Sequence, residues 1–293
     1  MCNSSGKKNF SRAAQLLNIT QPAISQNIQA LEDYYGAKLF ERSSKKVELT
    51  QAGAALYSCA SEILKLHMLA KRAVADLVEM VTGELRIGAS FTIGEYVLPR
   101  VLAAFSKKYP QVKYSVTIGN TELIHERALE GSIDLGVVEG HIEDKQLIIE
   151  EFSQDEMVFI VSKQHPLAKS KYITREDLEN ETFIMREEGS GTRIALEEVL
   201  QEISLKPVNL ITLGSTQAIK EAVEAGMGVA MLSKWALRKE LKLGTLKIIR
   251  IKDLKKTRSF TVVRRKERFE SKACYEFRKY IMNGGASEVL TLV

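Results

Sequence analysis

One pattern between Leu56 and Val81 constrains the rest of the chain. Leu56, Ala60, Ile63, His67, Ala70, Val74, Leu77 and Val81 follow one another in steps that alternate strictly between four and three. That spacing predicts a single helix from Thr50 to about Val81 with a heptad seam along one face. A seam needs a partner, which is either the same helix of a second subunit or the chain's own body. The homodimer is the favoured reading. His67 reads as a contact residue of the seam, because no second His or Cys lies one turn away. The helix also separates two stretches of different texture.

Before the seam, Ser11–Asn18 carries Ala13, Ala14, Leu16 and Leu17 at helical spacing, and Asn18-Ile19-Thr20 reads as a turn. Thr20 is a plausible N-cap, and Pro22 is tolerated in the first turn of the next helix. That helix runs to about Tyr35 and stops at Gly36. Ala23, Ile24, Ile28 and Leu31 should face the core, while Gln21, Ser25, Gln26 and Gln29 lie on the other face. Two helices joined by a short turn make a helix-turn-helix, and amide side chains can read base edges. Leu39-Phe40 and Val47-Glu48-Leu49 are strand candidates around Arg42-Ser43-Ser44-Lys45-Lys46, a hairpin with a cationic tip suited to phosphates. Residues 1–58 hold seven Lys or Arg against four acids. A second basic run, Lys255 to Arg268, reads as a solvated surface.

The stretch from Asn9-Phe10-Ser11-Arg12-Ala13-Ala14 through Thr20-Gln21-Pro22-Ala23-Ile24-Ser25-Gln26 to Leu31-Glu32 resembles the LysR-type helix-turn-helix signature. So does its continuation from Gly36-Ala37-Lys38-Leu39-Phe40-Glu41-Arg42 through Leu49-Thr50-Gln51-Ala52-Gly53. The resemblance implies a ligand-gated transcription regulator acting on double-stranded promoter DNA as a homodimer, with tetramers common in the family. Gln21, Pro22, Ser25, Gln26 and Gln29 would lie in the major groove. Ser11, Arg12, Arg42, Lys45 and Lys46 would position the protein on phosphates. The family places a full helix before Asn9. Here nine residues precede Phe10, and Asn3, Ser4, Ser5 and Gly6 are poor helix formers. The first helix is therefore expected to be missing or rudimentary, through a start placed late in the reading frame or a shortened chain.

After Thr82-Gly83 strands alternate with helices, which predicts an α/β sheet. Strands are expected at Leu85–Ala89, Val112–Ile118, Ile133–Val138, Leu147–Phe152 and Met157–Ser162, with helices at about Ile93–Tyr109 and Glu122–Glu130. The pattern restarts with strand Phe183–Met185, helix Arg193–Glu202, strand Asn209–Leu213, helix Gln217–Ala225 and strand Val229–Leu232. A late strand at Ser259–Val263 and a helix at Ser271–Met282 return to the first unit. This multidomain α/β arrangement resembles the two-lobed type 2 periplasmic-binding-protein fold that LysR-type sensors share. The expected domains are 1–58 (winged helix-turn-helix), 59–83 (dimerisation helix) and 84–293 (effector binding). Within the last, 84–161 with 261–293 form one lobe and 162–260 the other.

Four strand-to-helix junctions carry small polar residues: Ser90-Phe91-Thr92, Asn120-Thr121, Gly189-Ser190-Gly191-Thr192-Arg193 and Gly214-Ser215-Thr216-Gln217. Each sets hydroxyls and backbone N–H groups at a helix start, where anions are favoured, and open α/β sheets bind ligands beyond the carboxyl ends of their strands. The plainer reading is that Ser and Thr are good N-caps. A small organic or inorganic anion between the lobes is the expected effector, with Arg193 as a bidentate contact. The resemblance places Ser90, Thr92, Thr121 and Thr192 at effector-contacting positions. Gly-Ser-Gly-Thr-Arg at 189–193 resembles a subgroup that senses sulfur or carbon-assimilation metabolites.

Other function classes find little support. His67, His125, His141 and His165 are scattered without metal or triad spacing, and the glycines form neither a nucleophile elbow, a P-loop nor a dinucleotide fingerprint. No enzyme activity, metal or cofactor is expected. No stretch approaches ~18 consecutive apolar residues, and the N-terminus lacks a secretory core. Cys2, Cys59 and Cys274 lie far apart and read as reduced thiols of a cytoplasmic protein. A solute-binding protein built on the two-lobed body alone is the remaining alternative, and residues 9–53 argue against it.

Overall fold

A computed structural model describes residues 20–43, 46–76, 81–140, 143–170, 172–266 and 268–285. The chain forms two compact units, Met1–Val74 and Ala75–Val293. The expectations for the helix at 11–18, the shortened N-terminus, Cys2, His141 and the hairpin tip at Ser44-Lys45 lie outside the described residues.

In the first unit, α1 (Gln21–Tyr35) begins at Thr20, whose side chain accepts from the Ala23 N–H. It ends at Gly36, whose φ of 64° is the left-handed cap that glycine adopts without strain. Ile24 and Ile28 are buried against Phe40. Leu31, expected in the core, is 46% exposed. Phe40 packs on Ile24 and Ile28, and the buried side chain of the last turn is Glu32. Its carboxylate accepts from the Leu39 and Phe40 N–H groups at 2.9 and 3.3 Å and from Lys38 Nζ at 2.7 Å. Those amides enter the hairpin of β1 (Phe40–Ser43) and β2 (Lys46–Leu49). Thr50 then starts α2 (Gln51–Asp76): its hydroxyl accepts from the Gly53 N–H at 2.9 Å. On α2 the apolar side chains Ile63, Leu64 and Leu66 are largely exposed.

The second unit is one nine-stranded sheet in the order β4-β3-β5-β11-β6-β9-β7-β8, with β10 also paired to β6. Its first half holds β3 (Gly83–Ser90), a π-helical turn (Ile93–Val97), α3 (Leu98–Lys108), β4 (Val112–Gly119), α4 (Thr121–Glu130) and β5 (Leu135–Glu139). The second holds β7 (Thr182–Arg186), α5 (Gly191–Glu202), β8 (Asn209–Leu213), α6 (Thr216–Glu224), β9 (Val229–Ser233), α7 (Arg238–Leu243) and β10 (Leu246–Ile249). β11 (Lys256–Arg265) and α8 (Lys272–Tyr280) close the chain back on the first half. The helices cover the sheet faces, with cores around Phe105, Phe260 and Phe277 in one half and around Phe159, Phe183 and Val199 in the other.

Two expectations are corrected here. Leu147–Phe152 and Met157–Ser162 are not separate strands but the ends of β6 (Leu147–Ser162), which joins the halves. Polar Ser153-Gln154-Asp155-Glu156 interrupts the apolar pattern without interrupting the backbone, because β11 pairs with it throughout. The basic run Lys255–Arg268 is not a solvated surface. Most of it is β11, and Arg258 within it is 7% exposed.

Candidate DNA-reading face and effector site

On α1, Gln21, Pro22, Gln26 and Gln29 are exposed and Ser25 is half-buried. Gln21 Nε2 donates to Ser25 Oγ at 3.3 Å, and Gln29 Nε2 to Asp33 Oδ1 at 2.7 Å. These i, i+4 bonds hold the amides on one face, and water-exposed bonds of this kind exchange readily for a base edge. Ser11, Arg12 and Lys45, and the side chains of Arg42 and Lys46, lie outside the described residues.

The four junctions divide by role. Three of them use a side chain to cap their own helix: Asn120 accepts from Leu123 N–H, Ser190 from Thr192 N–H and Ser215 from Ala218 N–H. The first junction makes no such cap, since Thr92 is already helical and leads into the π turn. The threonine hydroxyls do something else. Thr92 and Thr192, on opposite halves of the sheet, each accept a hydrogen bond at 3.1 Å from the guanidinium of Arg258. Arg258 Nε donates to Asp155 Oδ2 at 2.8 Å, and its Nη1 lies 3.6 Å from Glu139. The Ser90 hydroxyl donates to the Glu139 carboxylate, and Ser233 to Asp155 at 2.6 Å. Ser90, Thr92, Thr192, Glu139, Asp155 and Arg258 are all buried. Burial pushes the Glu139 carboxyl above the usual carboxylate range, and Arg258 offsets this only in part.

The halves meet directly around this cluster. Glu122 N–H donates to Gly189 O at 3.2 Å and Asn120 Nδ2 to Glu188 O at 3.2 Å, so the starts of α4 and α5 converge. Thr121 donates to the Glu139 carbonyl. Gly191 permits the approach, because a β-carbon there would lie 2.7 Å from that same carbonyl oxygen. A second set of contacts comes from the turn after β3. Phe91 lies 4.6 Å below the guanidinium of Arg186, which also donates to Thr216 and is paired with Glu187. Tyr96 lies 4.9 Å from Lys220 Nζ, which donates to Glu240 and to the Ala236 carbonyl. Each aromatic ring belongs to one half and each cation to the other.

Arg193 is placed differently from the expectation. It pairs with Glu197 one turn along α5 at 2.7 Å and lies 3.7 Å from Glu188. An i, i+4 partner on its own helix draws it to the outer face. Among the described residues the buried cations are Arg258, Arg186 and Lys220, which sequence reading missed. The available signal was a charge inside a strand pattern: Arg258 before Phe260-Thr261-Val262-Val263, and Glu139 closing the apolar run of β5.

His125 and His165 each pair with a single carboxylate, Asp144 and Glu181. Among the described residues no group of His, Cys, Asp and Glu could hold a metal, and no helix is long and apolar enough to cross a membrane. Residues 5–54 match the family model for the bacterial regulatory helix-turn-helix protein of the lysR family, and residues 79–286 match the LysR substrate binding domain. The chain belongs to the LysR family of transcription regulators. This LysR-type regulator is 42% identical to the HTH-type transcriptional regulator CysL of Bacillus subtilis, over 88% of this chain and 86% of CysL. It is 38% identical to the probable RuBisCO transcriptional regulator of Trieres chinensis, over 91% and 89% of the two chains. Among solved structures, the regulatory domain of Synechocystis PCC6803 CcmR in complex with 2-PG is 33% identical. It superposes with a TM-score of 0.64, over 69% of this chain and 97% of that one. These relatives are regulators rather than enzymes, and the chain is a DNA-binding regulator with an effector-binding domain.

Proposed function

We propose that this LysR-type regulator is gated by a small anionic metabolite bound between the two halves of its sheet, at the cluster of Ser90, Thr92, Thr121, Thr192 and Arg258. The observation that carries this reading is Arg258 itself. One buried guanidinium is hydrogen-bonded to a threonine of each half. Two helix N-termini converge beside it, those of α4 and α5. An anion that took over the two threonine bonds would change how the halves sit, and a ligand shifts such an equilibrium only by its preference for one state. The 2-PG complex of the CcmR domain supports a small-molecule effector in this fold.

On the DNA side, Gln21, Ser25, Gln26 and Gln29 contact base edges in the major groove, with Pro22 seating the helix start. Ser11, Arg12, Arg42, Lys45 and Lys46 contact phosphates. The protein acts in the cytoplasm as a homodimer. Exposed Ile63, Leu64 and Leu66 on α2 support a helix-to-helix contact between subunits, and two-fold operators call for two reading heads. The test is Gln26→Ala in anisotropy titrations at fixed salt. It should cost ~1–3 kcal/mol on the specific site and little on random DNA. Equal losses on both would remove the base-reading role.

A further inference from the structure

Away from the Arg258 cluster, β10 and β11 pair with the same side of β6 but do not meet. Ile249 of β10 lies opposite Phe159, and Lys256 of β11 opposite Met157, so residues 250–255 leave the sheet between them. Beneath this excursion is a cavity of about 230 Å³. Its floor is apolar: Met157, Phe159 and Met231 line it, are each at most 4% exposed and belong to the core of the second half. Its rim is cationic. Of the charged rim residues, Glu156 is paired with Lys234 and Lys256 with Glu198. Arg250 and Lys255 are exposed and have no carboxylate partner among the described residues.

An apolar floor that water solvates poorly, beneath two uncompensated cations, matches one kind of occupant: a small molecule with a hydrocarbon body and a carboxylate at one end. We infer that this cavity is a second ligand site, separate from the contact between the halves, that takes a small aliphatic or aromatic monocarboxylate. The volume corresponds to about eight water molecules at liquid density, which accommodates benzoate or hexanoate. Met adapts its shape to irregular apolar bodies, and two of the three floor residues are Met. Lys256, at the rim, stands two residues before Arg258 on the same strand.

The test uses the full chain and calorimetric titration with benzoate and with hexanoate, against benzylamine as a cation of similar body. Saturable binding of the carboxylates but not the amine is expected. Arg250→Glu/Lys255→Glu, which alters only exposed side chains, should weaken it at least about tenfold. Met231→Trp, which fills the cavity, should do the same. Thr92→Val/Thr192→Val, which removes hydroxyls from the other site, should leave it unchanged. The inference is overturned if no carboxylate binds, if benzylamine binds equally, or if binding survives the rim and cavity variants. It is also overturned if only the threonine variant abolishes binding. That last result would assign the carboxylate to the contact between the halves and leave the proposed function intact.

Discussion

Replacing Arg258 with methionine removes a buried cation and leaves its anions in place. Asp155 and Glu139 are 0% and 2% exposed, with oxygens 2.8 and 3.6 Å from the guanidinium. Deleting one partner of a buried ion pair costs about 3–5 kcal/mol, because the remaining carboxylate keeps its desolvation penalty and loses its compensation. Against a stability of roughly 5–15 kcal/mol the variant should still fold. The loss should depend on pH. Without Arg258 the buried carboxyls are pushed further upward. A carboxyl that binds its proton more tightly folded than unfolded contributes stability at low pH, and that stability is lost as pH rises from the ordinary carboxylate range through the raised value. Arg258→Met should therefore lie closer to the parent near pH 5 than near pH 8. Urea unfolding read by Trp235 fluorescence measures this. Trp235 is the chain's single tryptophan, and it follows β9 of the second half while packing on the core of the first. Adding Asp155→Leu should recover much of the loss. A cost below about 1 kcal/mol at pH 8, or one that does not change with pH, would refute the buried-pair account.

Gly191→Ala should wedge the halves apart, since its β-carbon would meet the Glu139 carbonyl oxygen and Thr121 Oγ1 at 2.7 and 3.2 Å. A cost of about 1–3 kcal/mol to the closed arrangement is expected, seen as a larger radius of gyration in X-ray scattering; an unchanged profile counts against it. Phe91→Leu and Tyr96→Leu remove the rings over Arg186 and Lys220 and should weaken closure by about 0.5–2 kcal/mol each. The readout is faster hydrogen exchange at the Glu122 amide, which bonds across to Gly189, and an unchanged rate would show that these ring–cation contacts do not hold the halves together. In the first unit, Lys38 and two backbone amides hold the Glu32 carboxyl below its usual range. Its contribution is present above the ordinary glutamate pKa and lost as pH falls through the lowered value. Glu32→Gln should flatten that acid-side loss of ellipticity, and an identical acid titration would show the contact to be idle.

Much of this arrangement was legible in the residues. Thr20, Pro22 and Gly36 carry local instructions for starting and stopping α1, and such caps need no distant partner to be read. The alternation of strands and helices after Gly83 follows from periodicity alone. What periodicity could not supply was pairing between distant segments. Glu32 on an otherwise apolar stripe is explained only by the Leu39 and Phe40 amides it meets. Ser153–Glu156 reads as a break in a strand because polar residues interrupt the pattern, yet Asp155 is polar there because Arg258 lies across the ladder from it. The junction hydroxyls were visible as a group. The division of the junction side chains into helix caps at the Asn120 amide and the Ser190 and Ser215 hydroxyls, and arginine partners at Thr92, Thr192 and Thr216, depends on where β11 and β7 deliver their guanidinium groups. Arg193 was the visible arginine beside those hydroxyls, but one turn of α5 gave it to Glu197.

The most direct test of the central claim is DNA affinity under effector control. Fluorescence anisotropy would follow the full chain on the promoter fragment beside its own gene, with random competitor and fixed salt, across a panel of small carboxylates and phosphate esters. The account predicts specific binding and at least one anion that shifts the Kd by about 5–150-fold in the parent but not in Thr92→Val/Thr192→Val. Binding no tighter than to random DNA, or an anion response that persists undiminished in the double variant, would contradict it.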